Sequence, residues 1–200
     1  MTAQGALHLT FDDGPHPEWT RGVLDLLGRC GASATFFVLG TAVREHPEVA
    51  AEILEAGHEI GLHGDAHLDH RKAQPDDVRR DTQRSLDTLR ELGVSPTSWR
   101  LPWGRRGPVT DALAAEHGLR IVGWDADTHD WRGDRWAQQP SAVATAATAG
   151  GIVLLHDAIG PGSIRRECSN TLEITASLLY RASAAGTPVV PIDHGSKTHA

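Results

Sequence analysis

Short runs of apolar and β-branched residues alternate along the chain with stretches whose apolar positions recur every three to four residues. Residues 6–11, 34–38, 59–62, 98–101, 119–124, 151–155 and 187–192 are short and bounded by turn residues, which predicts seven strands. Between them, helical spacing joins Val23, Leu24, Leu26 and Leu27; Val49, Ile53 and Leu54; Val78, Leu86 and Leu89; Val109 and Leu113; and Leu172, Leu178 and Leu179. Gly31, Gly57, Gly93, Gly118, Gly150 and Gly186 stand where helices end. Strands that are apolar on both faces and separated by helices predict a parallel sheet covered by helices, as an open doubly wound sheet or a closed barrel. Seven repeats favour the barrel-like α/β form, a distorted, incomplete (β/α) barrel with its helices outside. No low-complexity linker or charge block interrupts the alternation, so residues 1–200 read as a single domain.

Composition narrows the function classes. No apolar run approaches the roughly 20 residues that span a bilayer, so no membrane partner is expected. Nineteen Lys and Arg against 26 Asp and Glu give a net charge of −7, which removes the basic footprint of nucleic-acid binding. Cys30 and Cys168 cannot build a disulfide framework or a thiolate zinc site, and read as buried small apolar groups. Met1 to Ala6 carry no charged or apolar leader pattern; taken as the native start, they predict a cytoplasmic protein. The count that asks for an explanation is 12 His.

In parallel α/β folds, chemistry gathers where strands end. The first strand runs into Asp12-Asp13-Gly14-Pro15, where adjacent carboxylates point in different directions, one free for a metal and one for a substrate water; an acidic turn is the bland alternative. The third ends in His63-Gly64-Asp65-Ala66-His67, two histidines at i and i+4 that a helical turn would put on one face, within reach of one cation. His70 extends the run, with a capping or surface role as its plainer reading. The fourth strand leads into Arg100-Leu101-Pro102-Trp103-Gly104, a fixed cation beside a rigid proline and an aromatic. Asp127-Thr128-His129-Asp130-Trp131 follows the fifth, and Leu154-Leu155-His156-Asp157 closes the sixth. Every polar cluster falls at the C-terminal end of a strand.

These blocks, in this order from Asp12 to His156, resemble the five motifs of the NodB-homology polysaccharide deacetylases, carbohydrate esterases of family 4 that remove acetyl groups from N-acetylated sugars such as chitin oligomers and peptidoglycan. The resemblance implies a metal triad of Asp13, His63 and His67, with Asp12 as general base and Arg100 orienting it. It implies that Trp103 supplies a backbone N–H to the oxyanion, that Trp131 and Leu154 line the acetyl pocket, and that His156 is the general acid, tuned by Asp130. The implied cofactor is Zn2+, with Co2+ as another divalent metal that would serve. One carboxylate and two neutral imidazoles leave a zinc ion open positions, and such an ion lowers the pKa of a bound water from about 15.7 to about 7.

Two departures stand out. The family usually has Asn before the first metal histidine and Ser or Thr after it, where this chain has Leu62 and Gly64, so another group, Asp65 or His70, is expected to brace the metal histidines. The usual Pro-Pro-Tyr/Phe is Leu101-Pro102-Trp103. Six Trp against three Phe and one Tyr is an unusual balance: Trp103, Trp131, Trp19 and Trp136 fall in loops where an indole can stack on a sugar, while Trp99 and Trp124 read as core. The segment 158–170 reads as a lid or rim, with Arg165 and Arg166 either meeting an anion or simply solvated. Asp127 joins Asp12, Asp13 and Asp130 in the expected acidic cavity. His70 and His129 are candidates for supporting the site, and His8, His16, His46, His58, His117, His194 and His199 need no function.

The expected activity is therefore a zinc-dependent hydrolase removing an N-acetyl group from an N-acetylamino sugar or short oligosaccharide. A small-molecule N-acyl amide is the alternative substrate, and a metal-binding scaffold without turnover the alternative class.

Overall fold

The computed structural model describes residues 5–192; the expectations placed on Met1 to Gln4, His194 and His199 lie outside them. Seven strands, β1 (Leu7–Asp12), β2 (Thr35–Val38), β3 (Glu59–Leu62), β4 (Ser98–Trp99), β5 (Arg120–Ile121), β6 (Ala126–Asp127) and β7 (Gly151–His156), form one sheet in the order β5-β4-β3-β2-β1-β7-β6. Every pairing is parallel. Helices α1 (Trp19–Arg29), α2 (Gly40–Glu45), α3 (Pro47–Glu55), α4 (Pro75–Glu91), α5 (Thr110–Glu116), α6 (Ser141–Ala149) and α7 (Ser169–Ala185) surround it.

The sheet has to curl. Its edge strands β5 and β6 are joined by only residues 122–125, a link that reaches about 18 Å at full extension. The edges of a flat seven-stranded sheet would be about 29 Å apart. The result is a half-barrel, as the seven-fold alternation predicts.

Two of the expected strands are corrected. Residues 187–192 form only an isolated bridge, Val189 to Leu7, with hydrogen bonds from Leu7 N to the Pro188 carbonyl and from Val190 N to the Leu7 carbonyl. They wedge beside the start of β1 instead of entering the sheet. The expected strand 119–124 shrinks to β5, and the seventh strand is β6, whose two residues are too few to leave a period in the sequence. Helices α2 and α6 likewise lacked a distinct apolar stripe; α6 is mostly Ala and Thr.

Alternation along β1 sends Leu7, Leu9 and Phe11 into the core beneath the helices and leaves Thr10 and Asp12 facing the barrel interior. That interior is filled by Phe37, Val122 and Ile192, with the Arg100 guanidinium 4.3 Å from the Phe37 ring centre. Cys168 is buried as expected, but Cys30, at the end of α1, is exposed. No described helix is long and apolar enough to cross a membrane.

Candidate active site

The C-terminal ends of β1, β3, β4, β6 and β7 open into one cleft of about 340 Å³. Asp12 ends β1 and Asp13 follows at φ 78°, a left-handed turn that re-aims its carboxylate beside that of Asp12. His67 (φ 55°), Trp103 (φ 59°) and His129 (φ 51°) share this conformation, and these are the four non-glycine cases among the described residues. Such backbones cost roughly 1–3 kcal/mol each and gather where side chains must be aimed against local preference.

His63 and His67 do not share a helical turn, contrary to the i, i+4 expectation. Residues 63–67 are loop, bent by Gly64 at φ +92° and by His67. Neither Asp65 nor His70 braces them. Asp65 pairs with Arg44, at 2.6 and 3.0 Å. His70 is fully buried, with Nδ1 3.0 Å from Thr110 Oγ1 and its ring against Trp99. The brace is Asp81 of α4, whose two carboxylate oxygens each accept a 2.8 Å bond, from the Asp65 and Ala66 N–H groups. A Cβ on Gly64 would lie 2.8 Å from Asp81 Oδ2, so the glycine that replaces the usual Ser or Thr makes room for this carboxylate.

Asp13, His63 and His67 present ligand atoms that all lie within 4.8 Å of one another. Asp13 Oδ1 is buried without a hydrogen bond and faces His63 Nε2 at 3.5 Å and His67 Nε2 at 3.4 Å. Two nitrogen or oxygen ligands about 2.0–2.1 Å from a tetrahedral zinc ion stand roughly 3.3–3.4 Å apart, so the spacing fits a shared cation better than mutual hydrogen bonds. His63 Nδ1 donates to the Arg100 carbonyl at 2.8 Å, leaving Nε2 free for a metal. Burial and the neighbouring His63 push His67 down to about 4, so it is neutral and available as a ligand. Burial opposes charge on His63 too, but Asp12 and Asp13 prevail and raise its pKa.

Two buried ion pairs flank this triad. Arg100, held by β4 inside the barrel, donates from Nη1 to Asp12 Oδ1 at 3.0 Å and from Nη2 to the Gly123 carbonyl at 2.9 Å. Opposite, Asp130 Oδ1 accepts from His156 Nδ1 at 2.7 Å, and Asp130 Oδ2 from the His156 N–H at 2.9 Å. Burial works against a charged His156, yet the Asp130 carboxylate prevails and raises it to about 9. Burial likewise opposes the charge on Asp130, but His156 and Arg165 hold its pKa well below the usual carboxylate range.

Leu154 lines the cleft, with Trp103 and Trp131 in its walls and Arg105, Pro161, Gly162 and Ser163 at its margin. Trp124, expected in the core, is 37% exposed and forms part of the wall, because β5 ends before it; Trp99 is buried as expected. Trp19 and Trp136 are elsewhere: Trp19 stacks on His16, and Trp136 lies under Arg181 in a separate hollow on α7. Asp127 joins the cleft, and its Oδ1 accepts a 2.7 Å bond from the His129 backbone N–H. The rim expected of residues 158–170 is present at 161–163; Arg166 is exposed to solvent, but Arg165 turns inward, is buried and meets the Asp130 carboxylate. Asp81, Trp124, Arg105 and Arg165 are the site residues that sequence reasoning missed or misplaced. Asp81 and Arg165 act from a helix and a loop that carry no motif, and only the turned backbone brings them in.

A protein-family model described as polysaccharide deacetylase matches residues 1–122. The chain is 35% identical over 167 residues to the chitooligosaccharide deacetylase of Bradyrhizobium sp. (strain ANU 289), covering 82% of this chain and 76% of the relative. It is 36% identical over 188 residues to the peptidoglycan-N-acetylglucosamine deacetylase PgdA of Listeria monocytogenes, covering 92% of this chain but only 37% of the longer relative. The solved peptidoglycan deacetylase PdaC from Bacillus subtilis superposes with a TM-score of 0.81 at 27% identity, over 96% of this chain and 89% of that one. With a family model across more than half its length and a relative matched over most of both chains, this protein belongs to the polysaccharide deacetylase family.

Proposed function

We propose that the protein is a zinc-dependent hydrolase that removes the acetyl group from an N-acetylamino sugar or a short oligosaccharide of such sugars. The observation that carries this reading is a three-ligand cluster set between a carboxylate paired with Arg100 and an imidazole paired with Asp130, all at the bottom of one indole-lined cleft. Relatives named for chitooligosaccharide and peptidoglycan substrates support the sugar.

Asp13, His63 and His67 would hold the metal, which when bound supplies Lewis acidity that makes water a nucleophile near neutral pH and polarises the amide carbonyl. Asp12 takes the proton of the attacking water. Arg100 occupies its Oδ1 and fixes the carboxylate, leaving Oδ2 toward the triad, 3.9 Å from His63 Nε2. As the carbonyl carbon becomes tetrahedral, the Trp103 N–H offers a donor to the developing oxyanion; one such donor is worth about 3–4 kcal/mol. His156, kept protonated by Asp130 at neutral pH, gives its proton to the nitrogen as the C–N bond breaks, releasing acetate and the free amine. Trp103, Trp124 and Trp131 present flat apolar faces to the sugar ring, and Leu154 meets the acetyl methyl.

Acetate release from N-acetylglucosamine oligomers tests the assignment. Wild type should turn over, and Asp12→Asn and His156→Ala should lose about 10²–10⁴-fold in kcat. Equal inertness of all three across a broad panel of zinc-loaded reactions sinks it. The cleft volume lies near the lower end of the roughly 300–1,000 Å³ of small-molecule sites, which supports a second substrate reading, an N-acyl amide about the size of one sugar. Including monomeric amides in the same panel separates the two.

A further inference from the structure

Arg165 belongs to none of the motif blocks, yet it is the most heavily bonded cation near the cleft. Its Nη1 lies 3.1 Å from Asp130 Oδ2 and also donates to Thr171 Oγ1 (2.5 Å) and Asn170 Oδ1 (3.2 Å). Its Nη2 donates to the His156 carbonyl at 2.7 Å and to the Ala158 carbonyl at 3.1 Å. The Thr171 hydroxyl passes the contact on, donating to Asp130 Oδ2 at 2.6 Å. Arg165 therefore grips both the carboxylate that orients the His156 ring and the backbone that carries it. Its side chain is 3% exposed and that of Asp130 is fully buried.

A fully buried carboxylate with a single cationic partner faces a difficulty in any reaction in which that partner gives up its proton. Once His156 is neutral, Asp130 would be left as an uncompensated charge out of water, a costly state that pulls the proton back. A second cation that cannot titrate removes the difficulty, because Asp130 then keeps a countercharge in both protonation states of the imidazole. Shared between two cations, the carboxylate also holds the imidazolium proton less tightly, which makes it a better acid.

We infer that Arg165 is a positioning residue for proton donation by His156, holding Asp130 ionised and aligned throughout the catalytic cycle. The inference rests on the function proposed above for His156. It also gives the 158–165 segment a role in the chemistry: the residues that form the rim, 161–163, are tied by Arg165 directly to the acid pair, and the Ile164 N–H is anchored to the Trp131 carbonyl at 3.1 Å.

Arg165→Gln and Arg165→Lys test it by two readouts. The first is the kcat and KM of acetate release: Gln should cost tenfold or more in kcat with KM within about twofold, and Lys, which keeps the charge but not the fork, should recover part of the loss. The second is independent of turnover. The titration of the His156 imidazole, followed by NMR, should move to higher pH in Arg165→Gln, because a repelling cation has gone while Asp130 remains. The other charged or titratable groups facing the ring, Asp12, Asp13 and His67, are the same in every variant. A midpoint and a kcat both equal to wild type in Arg165→Gln overturn the inference, as does a loss of activity confined to KM. If Arg165→Gln does not fold, the lysine variant decides: a kcat and a midpoint both equal to wild type there overturn the inference, and a lowered kcat with a displaced midpoint supports it. Wild type that titrates as described but hydrolyses nothing counts against the proposed function and leaves the Arg165 result readable.

Discussion

His156 shows how far one residue's chemistry depends on its partner. Its reference pKa is 6.5, and despite burial the Asp130 carboxylate raises it to about 9 in the fold. The folded state thus binds this proton more tightly than the unfolded chain, and the pair's contribution to stability is complete below about pH 6.5. It drains away as pH rises toward 9 and is absent above it. Denaturation midpoints measured from pH 6 to 10 should show wild type losing its margin over His156→Gln across that window; a margin constant with pH would contradict the pairing. At the same scale, the histidine motif was legible as a spacing, but the handedness of the backbone at Asp13, His67 and Trp103 was not. These residue types only occasionally adopt positive φ, and they do so here because the surrounding structure over-determines it.

Elements decide whether the loop residues stay where the chemistry needs them. Helix α4 carries Asp81, which satisfies two N–H groups of the loop between His63 and His67. Asp81→Ala should lower zinc affinity by about 10–100-fold, as loss of an outer support typically does, measured by competition with a chromophoric chelator. Restoration of activity at excess zinc would place the defect in metal binding and not in chemistry. The segment after β7 presses on the triad from the other side: a Cβ on Gly160 would lie 1.9 Å from Asp13 Oδ2. Gly160→Ala should therefore displace the Asp13 carboxylate and weaken zinc binding more than tenfold, while thermal stability without zinc changes little, because the substitution lies in a loop; unaltered zinc affinity would mean that the loop yields freely. Neither support was legible. Asp81 looks like one more acidic residue on an amphipathic helix, and Gly160 like ordinary loop punctuation.

For the whole molecule, the triad joins the ends of β1 and β3, two strands whose contributions to the site are separated by about 50 residues of chain. A cation bound there favours the folded state over the unfolded one by mass action, by about 2.7 kcal/mol at a hundredfold excess over Kd. Saturating zinc should raise the melting temperature of wild type and leave Asp13→Ala unmoved, and chelation should reverse the rise; an equal shift in both would locate the zinc elsewhere. The curl of the sheet makes this joining possible. Because residues 122–125 bring the edge strands round, β4 and β6, on opposite sides of β1, both face the same cleft.

The local alternation of strand and helix and the placing of polar blocks after strands follow from the sequence alone, because they depend on periods of two and 3.6 and on residue type, while the roles of the metal and proton-transfer candidates come from the resemblance those blocks carry. What only the tertiary structure decided are the relations between distant segments: that β6 and not residues 187–192 completes the sheet, that Trp124 opens onto the cleft, that Asp81 braces the loop between His63 and His67 and that Arg165 turns inward onto Asp130. A two-residue strand or a single buried ion pair leaves no period in the chain. Its energy comes from burial and countercharge supplied by partners tens of residues away, which exist only once the half-barrel has closed around them.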